Sequence, residues 1–390
     1  MKEIASGIRY IGVDDKDIDL FESQYIVPEG MSYNSYLIMD DKVAVTDTAD
    51  HRMLEQWLSG LEQALEGRRP DYLVIHHMEP DHSGCIEALV DRYPDVTLVA
   101  SAKALQFLEQ FVPQRSFSHT LPVKEGDTLP LGRHSLRFAA APMVHWPEVM
   151  VSYEPFTGTL FSADAFGKFG ALEGEIFSKA EDWACEARRY YFNICGRYGK
   201  PVETLLAKVK GFQPACIAPL HGPVLKEDLA FYLNLYDLWS RYAPETEGVM
   251  VAYASIHGGT ARVAMQAADM LREKGVRVAL CDLTRDDRAE AVEDAFRYGT
   301  LLLAACSYDA GLFTPAYDFL HSLQMKGWCK RRVGLIENGS WAPSAARVMK
   351  EMLSGMKDIT LVGDTLTIKS RFRTEDTPAL EALVNALIEA

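Results

Sequence analysis

The sequence predicts an α/β protein of two domains, the second of them a doubly wound parallel sheet. Three observations lead there. The chain has 390 residues, more than one core of ordinary size accommodates. Its first two-thirds mixes strand-like segments with separate helical stretches. Beyond the polar stretch "SRYAPETEG" (240–248), which carries a proline and a glycine, strands and helices alternate regularly. Domains are therefore expected at 1–245 and 246–390.

Taken in order, "SYNSYLIM" (32–39) and "KVAVTDT" (42–48) read as strands. A helix follows in "HRMLEQWLSGLEQALEG", where Met53, Trp57, Leu61 and Leu65 recur at helical spacing. "DYLVI" is a short buried strand that runs straight into "HHMEPDH". Further strands are expected at "LRFAAAPMV" and "VMVSYEP", and a long helix over "DWACEARRYYFNICGRYG". "ACIAPLHGP" reads as a strand ending in the loop that carries His221. In the second domain the strands are "VMVAYAS", "VRVALCD", "TLLLAAC", "RVGLIEN" and "ITLVGD". Helical stretches separate them and "TPALEALVNALIEA" comes last, the pattern of a doubly wound sheet.

Composition limits the function. Hydrophobic residues make up 48% and charged residues 24%, as in ordinary soluble globular proteins. A net charge of −15 argues against nucleic acid or an anionic membrane as partner. Charges break the N-terminal stretch before a signal-like segment forms, and no apolar run reaches membrane-spanning length, so a cytoplasmic protein is expected. The seven cysteines are dispersed and include no C-x-x-C. That excludes a four-cysteine iron site such as a rubredoxin module needs and fits free thiols in a reducing compartment.

The stretch "VIHHMEPDHSG" crowds three histidines, a glutamate and an aspartate together, a costly cluster unless something neutralises it. From His77 the spacing is H-x-E-x-D-H: His77, Glu79, Asp81 and His82. His145, Asp164 and His221 each follow an apolar strand-like segment too. Seven imidazole and carboxylate ligands suit two metals sharing a bridge. His76 is expected to face away from His77.

In the second domain the first strand–helix turn reads "YASIHGGTARVA", glycines beside hydroxyls at a helix start, which makes a phosphate cradle. The turns after the third and fourth strands, "CSYDAGL" and "ENGSWAPSA", fall at the same carboxyl edge, where a mononucleotide binds. Tyr308 and Trp341 supply aromatic rings there.

These motifs, with "MSYNSYLI", "HWPEVMVSY", "LFSADAFGKFG" and "EARRYYFNI", resemble the flavodiiron proteins over nearly the whole chain. The resemblance implies an αββα metallo-β-lactamase-like sandwich followed by a flavodoxin-like domain. It implies two irons, one held by His77, Glu79 and His145, the other by Asp81, His82 and His221, with Asp164 bridging. Hydrolytic relatives of this sandwich read H-x-H-x-D-H and hold zinc. Glu79 makes the site harder and more anionic, which favours iron. The resemblance also implies FMN, with Ser255, His257, Gly258, Gly259 and Thr260 around the phosphate. Tyr308, Asp309, Gly311, Asn338, Gly339, Ser340 and Trp341 would lie near the ring. Simple flavodoxins favour a hydroxyl where His257 stands. Tyr25 and Tyr191 are implied as donors near the substrate.

The implied activity is reduction of oxygen to water, or of nitric oxide to nitrous oxide. A rubredoxin-like protein is implied as electron donor, and a head-to-tail homodimer (or dimer of dimers) as the assembly. Alternatives are oxidation of a reduced deazaflavin, a zinc hydrolase with an appended flavodoxin, or a non-catalytic electron carrier. The basic run "KGWCKRR" (326–332) is expected to steer an acidic donor.

Overall fold

The computed structural model describes residues 2–389. Two compact units result, Met1–Tyr191 with Lys200–Asp237, and Phe192–Gly199 with Leu238–Ala390. The segment 192–199 belongs to the second unit. There Phe192 stacks on Phe296 with centroids 4.2 Å apart, and Asn193 Nδ2 donates to Ala289 O at 3.1 Å.

The first unit is an αββα sandwich. One sheet runs in the order Lys2–Ala5, Ile8–Tyr10, Tyr36–Met39, Val43–Thr46, Tyr72–Ile75, Thr97–Ser101 and Thr120–Val123. Its first four strands pair antiparallel and the rest parallel. The other sheet runs Thr128–Pro130, Ser135–Ala140, Met150–Glu154, Thr159–Phe161 and Cys216–Ala218. Alternate residues of both sheets meet in one core: Ile38, Val74 and Val99 from the first, Leu136, Phe138, Met150 and Phe161 from the second. The opposite face of the first sheet is covered by helices such as Leu54–Leu65, which buries Trp57, Leu61, Ala64 and Leu65. On the second sheet, Phe212 of the helix Gly199–Phe212 stacks on Tyr153 at 5.0 Å.

Two expected elements are interrupted. "SYNSYLIM" forms two strands, Met31–Tyr33 and Tyr36–Met39, which pair in different sheets. At the break, Asn34 Nδ2 donates to Pro219 O at 2.8 Å and Gly222 O at 2.7 Å, binding this segment to the His221 loop. The helix Ala180–Ile194 also ends earlier than expected, and a short 3₁₀ turn, Gly196–Tyr198, separates it from the helix Gly199–Phe212.

The second unit is flavodoxin-like. Its parallel strands lie in the order Val278–Asp282, Thr246–Ala254, Tyr298–Tyr308, Arg331–Asn338 and Ile359–Leu361. In chain order this is 2-1-3-4-5, whose switch point lies between the first and third strands. The fifth position is shared, because Leu366–Ile368 continues the pairing with Arg331–Asn338 beyond Ile359–Leu361. The helices Gly259–Glu273 and Thr377–Ile388 bury Val263, Ala267 and Leu271, and Leu380, Leu383 and Leu387, against one face.

The basic run does not form the exposed patch expected of it. Arg331 is buried and its guanidinium donates to the carbonyls of Tyr242, Cys329 and Phe296. Arg332 donates to Ala386 O and Leu387 O at the end of the last helix. Trp328 and Cys329 are buried and Lys326 half-buried, which leaves Lys330 exposed. The run satisfies backbone carbonyls, an outcome that charge density alone does not reveal. No helix among the described residues is long and apolar enough to cross a membrane, and no two cysteines among them are joined in a disulfide.

Candidate metal centre and mononucleotide cradle

The metal candidates gather at one edge of the sandwich because each follows a strand that ends there. The strand Tyr72–Ile75 delivers His76 and His77; Pro80 then opens the short helix Pro80–Ser83, which turns Asp81 and His82 inward beside Glu79. The loop between Ser135–Ala140 and Met150–Glu154 carries His145, and Asp164 and His221 follow Thr159–Phe161 and Cys216–Ala218. Met150 N donates to His76 O at 3.1 Å, tying the two sheets at this edge.

The seven residues form two groups, His77, Glu79, His145 and Asp164, and Asp81, His82 and His221. Asp164 faces both. Its Oδ2 lies 3.0 Å from His145 Nε2 and 3.4 Å from His77 Nε2. Its Oδ1 lies 3.1 Å from His82 Nε2 and 3.8 Å from His221 Nε2. Glu79 Oε2 lies 3.1 Å from His77 Nε2 and 3.0 Å from His145 Nε2. Asp81 Oδ2 is 3.3 Å from His82 Nε2 and 3.2 Å from His221 Nε2.

Burial disfavours charge on these rings, but the carboxylates outweigh it. Asp164, Glu148 and Glu79 hold His77 well above the ordinary imidazole range. Asp164 and Glu79 raise His145 to about 9, and Asp81 and Asp164 raise His82. Against the same burial, His145 and His77 pull Glu79 down to about 2, and His77, His145 and His82 hold Asp164 well below the carboxylate range.

The donors fit a pair of metal ions. Both carboxylate oxygens of Asp81, Oδ1 of Asp164 and Nε2 of His82 and His221 are buried without a hydrogen-bond partner. Such atoms are costly in a folded core unless something binds them. His76 turns away: its Nδ1 lies 2.6 Å from Asp47 Oδ2 and its Nε2 2.7 Å from Ser152 Oγ.

Sequence reasoning missed Glu148. It is buried, and its Oε1 accepts hydrogen bonds from His77 Nδ1 at 2.7 Å and Met78 N at 3.0 Å. Its place in "HWPEV", three residues after His145, was the available signal. Ser32 was missed as well; its carbonyl, 2.7 Å from His221 Nδ1, orients that ring. Of the two tyrosines, Tyr25 packs against Phe169, with centroids 6.0 Å apart, and Tyr191 meets Tyr236 at 5.1 Å. The ring of the neighbouring Tyr190 meets His221, at 5.5 Å.

In the second unit the three expected turns do converge. Gly258, at φ 80°, opens the helix Gly259–Glu273, and a Cβ there would meet only open space. Gly259 is confined instead: a Cβ would lie 2.4 Å from Ser370 O. Ser255 Oγ is buried without a hydrogen-bond partner and Thr260 is buried. A helix N-terminus, an orphan hydroxyl and an uncovered glycine are features that could hold an anion. His257 is exposed beside it. Asn338 ties the fourth strand to Ser370, its Nδ2 donating to Ser370 O at 3.1 Å and its Oδ1 accepting from Ser370 N at 3.0 Å. Ser340 Oγ lies 2.7 Å from Ser370 Oγ, and Gly339 packs against Pro343. After the third strand, Asp309 turns the chain with φ 46° so that Gly311 pairs back on Tyr308. Tyr308 is 49% and Trp341 92% exposed, large apolar surfaces without protein cover at the carboxyl edge of the sheet. Ser370, missed in the sequence, packs its carbonyl against Gly259 and bonds Asn338 and Ser340 from a loop far along the chain.

Comparison with known proteins agrees with this architecture. A family described as "ODP family beta lactamase" matches residues 31–222. The "Putative diflavin flavoprotein A 2" of Synechocystis is 31% identical over 340 residues, 86% of this chain and 58% of that protein. The "Nitric oxide reductase" of Moorella thermoacetica is 29% identical over 363 residues, 91% of this chain and 90% of that protein. The solved structure of a point mutant of a flavo di-iron protein from Thermotoga maritima superposes with a TM-score of 0.91 at 25% identity, covering 100% of this chain and 98% of that one. The fold and ligand-bearing edge define a metallo-β-lactamase-like sandwich joined to a flavodoxin-like domain. Over its whole length the chain is similar to that flavo di-iron protein, and over most of its length to diflavin flavoproteins. It spans just over half the length of the diflavin flavoproteins it matches, 58% in the Synechocystis case.

Proposed function

We propose that the chain is an oxidoreductase that reduces oxygen to water, or nitric oxide to nitrous oxide, at a two-iron centre supplied with electrons by FMN. The observation that carries this reading is Asp164, buried, with one oxygen turned to each ligand group. Glu79 supports iron over zinc, since a carboxylate at that position raises the anionic character of the site. Two irons would supply a place to bind the diatomic substrate and exchange electrons with it, and FMN would relay electrons from outside. His77, Glu79 and His145 would hold one iron and Asp81, His82 and His221 the other. The carboxylates balance positive charge. Ser255, Gly258, Gly259 and Thr260 would hold the flavin phosphate through hydroxyls and backbone N–H groups, with Tyr308 and Trp341 flanking the ring. His257, Asp309, Gly311, Asn338, Gly339 and Ser340 would shape the rest of that pocket. Glu148 and the Ser32 carbonyl hold two ligand imidazoles in place.

The nitric oxide reductase name of the Moorella relative supports a diatomic substrate. The donor in this reading is a rubredoxin-like protein, and a head-to-tail homodimer brings the flavin of one chain to the metal centre of the other. Anaerobic stopped-flow of the fully reduced protein against each gas tests the activity. Rapid reoxidation of the flavin by one gas, dependent on bound iron, is expected. Reaction with neither gas, or two tightly held zinc ions with no iron-dependent turnover, would overturn the reading.

A further inference from the structure

The two ligand groups match in composition: each offers two imidazoles and a carboxylate of its own, and each shares Asp164. A difference in affinity between them must therefore come from what lies behind the ligands. There the groups differ. His77 Nδ1 meets the buried carboxylate of Glu148 at 2.7 Å. His221 Nδ1 meets only a neutral backbone carbonyl, that of Ser32, and His82 Nδ1 is buried with no hydrogen-bond partner. An anion behind an imidazole fixes its orientation, leaves Nε2 as the metal-facing atom and makes it a stronger donor. Glu148 does more, because the same oxygen accepts from Met78 N and so fixes the backbone between His77 and Glu79. One loop thus carries both a ligand, His145, and the clamp on another.

We propose that the two metal positions fill in order, the His77–Glu79–His145 position first, and that Glu148 is the positioning residue that sets this order. The inference rests on the two-metal reading above and adds an inequivalence that the ligand list does not contain. The His82–His221 side, with no carboxylate behind either ring, is the position that loses its metal first.

Titration of the metal-free protein with cobalt(II), followed by its visible ligand-field bands and by calorimetry, tests this. Two steps separated at least about tenfold are expected. Glu148→Gln, which keeps the shape but removes the charge, should weaken the tight step roughly 10–100-fold, the usual cost of losing a partner behind a metal ligand, and leave the weak step in place. Independently of Glu148, His221→Ala should retain the tight step and His145→Ala should lose it. Two steps of equal affinity, or equal weakening of both by Glu148→Gln, would overturn the ordering. Saturation at one cobalt per chain would instead overturn the two-metal reading itself.

Discussion

At Asp164 a single buried carboxylate serves two ligand groups, so its removal should be felt by both. Asp164→Ala is expected to lower metal content at both positions and reduce reductase activity by more than the roughly 10–100-fold that follows loss of an outer partner. Iron per chain and turnover measure this. Protons compete for the same nitrogens. With His145 raised to about 9, and His77 and His82 also raised, protons should hold to these rings in competition with metal. Metal loading there should release protons, and apparent affinity should climb as pH rises towards 9; calorimetry in buffers of different ionisation enthalpy reads the protons directly. The linkage runs the same way for stability. A raised His145 contributes stability present in full below the unfolded imidazole value of about 6.5 and lost as pH passes about 9. Thermal melts of metal-free protein should therefore weaken across that window, and a flat profile would contradict it. The ligand residues were legible in the sequence because they follow apolar strands at telling spacing. Glu148 was not, because a glutamate after a proline reads as surface until two sheets bury it. Nor was the Ser32 carbonyl, since a backbone group leaves no mark in a sequence pattern.

At the scale of elements, the parallel strands of the second unit were legible as near-continuous apolar runs, and their alternation with helices gave the sheet type. The turns depended on neighbours distant in sequence. Gly259 matters because Ser370 O occupies the space that a Cβ would need. Gly259→Ala should open the cradle, at a cost of about 1–3 kcal/mol for overpacking, and weaken flavin retention; equilibrium dialysis of FMN and a melt measure the two effects. Arg331 shows why the basic run misled. Four cations in seven residues look like a steering patch, yet Arg331 is spent on buried carbonyls. Arg331→Glu should therefore destabilise the fold by several kcal/mol through an uncompensated buried charge, whereas Lys330→Glu should be nearly silent. Denaturant melts of the pair separate a structural from a surface role.

At the scale of the whole molecule, the metal candidates belong to one compact unit and the cradle to the other. Damage should therefore stay local: Asp164→Ala should keep its FMN, and joint loss of flavin and metal would contradict separate sites. If the assembly is the proposed head-to-tail dimer, mixing a His145→Ala chain with a chain that cannot bind FMN should restore part of the activity once subunits exchange. A fully active monomer would rule the dimer out as a requirement. The bond between His221 and Ser32 spans 189 positions of the chain, and Asn34 spans a similar distance to Pro219 and Gly222. Contacts of such reach form late, because a long loop must close before they gain anything. During synthesis the H-x-E-x-D-H segment emerges long before His221 does. The nascent chain therefore presents a partial set of donors to whatever metal is at hand, and the second position cannot be completed until the ribosome has passed the end of the sandwich. The ligand set is thus complete only once nearly the whole first unit, from His77 to His221, has been made.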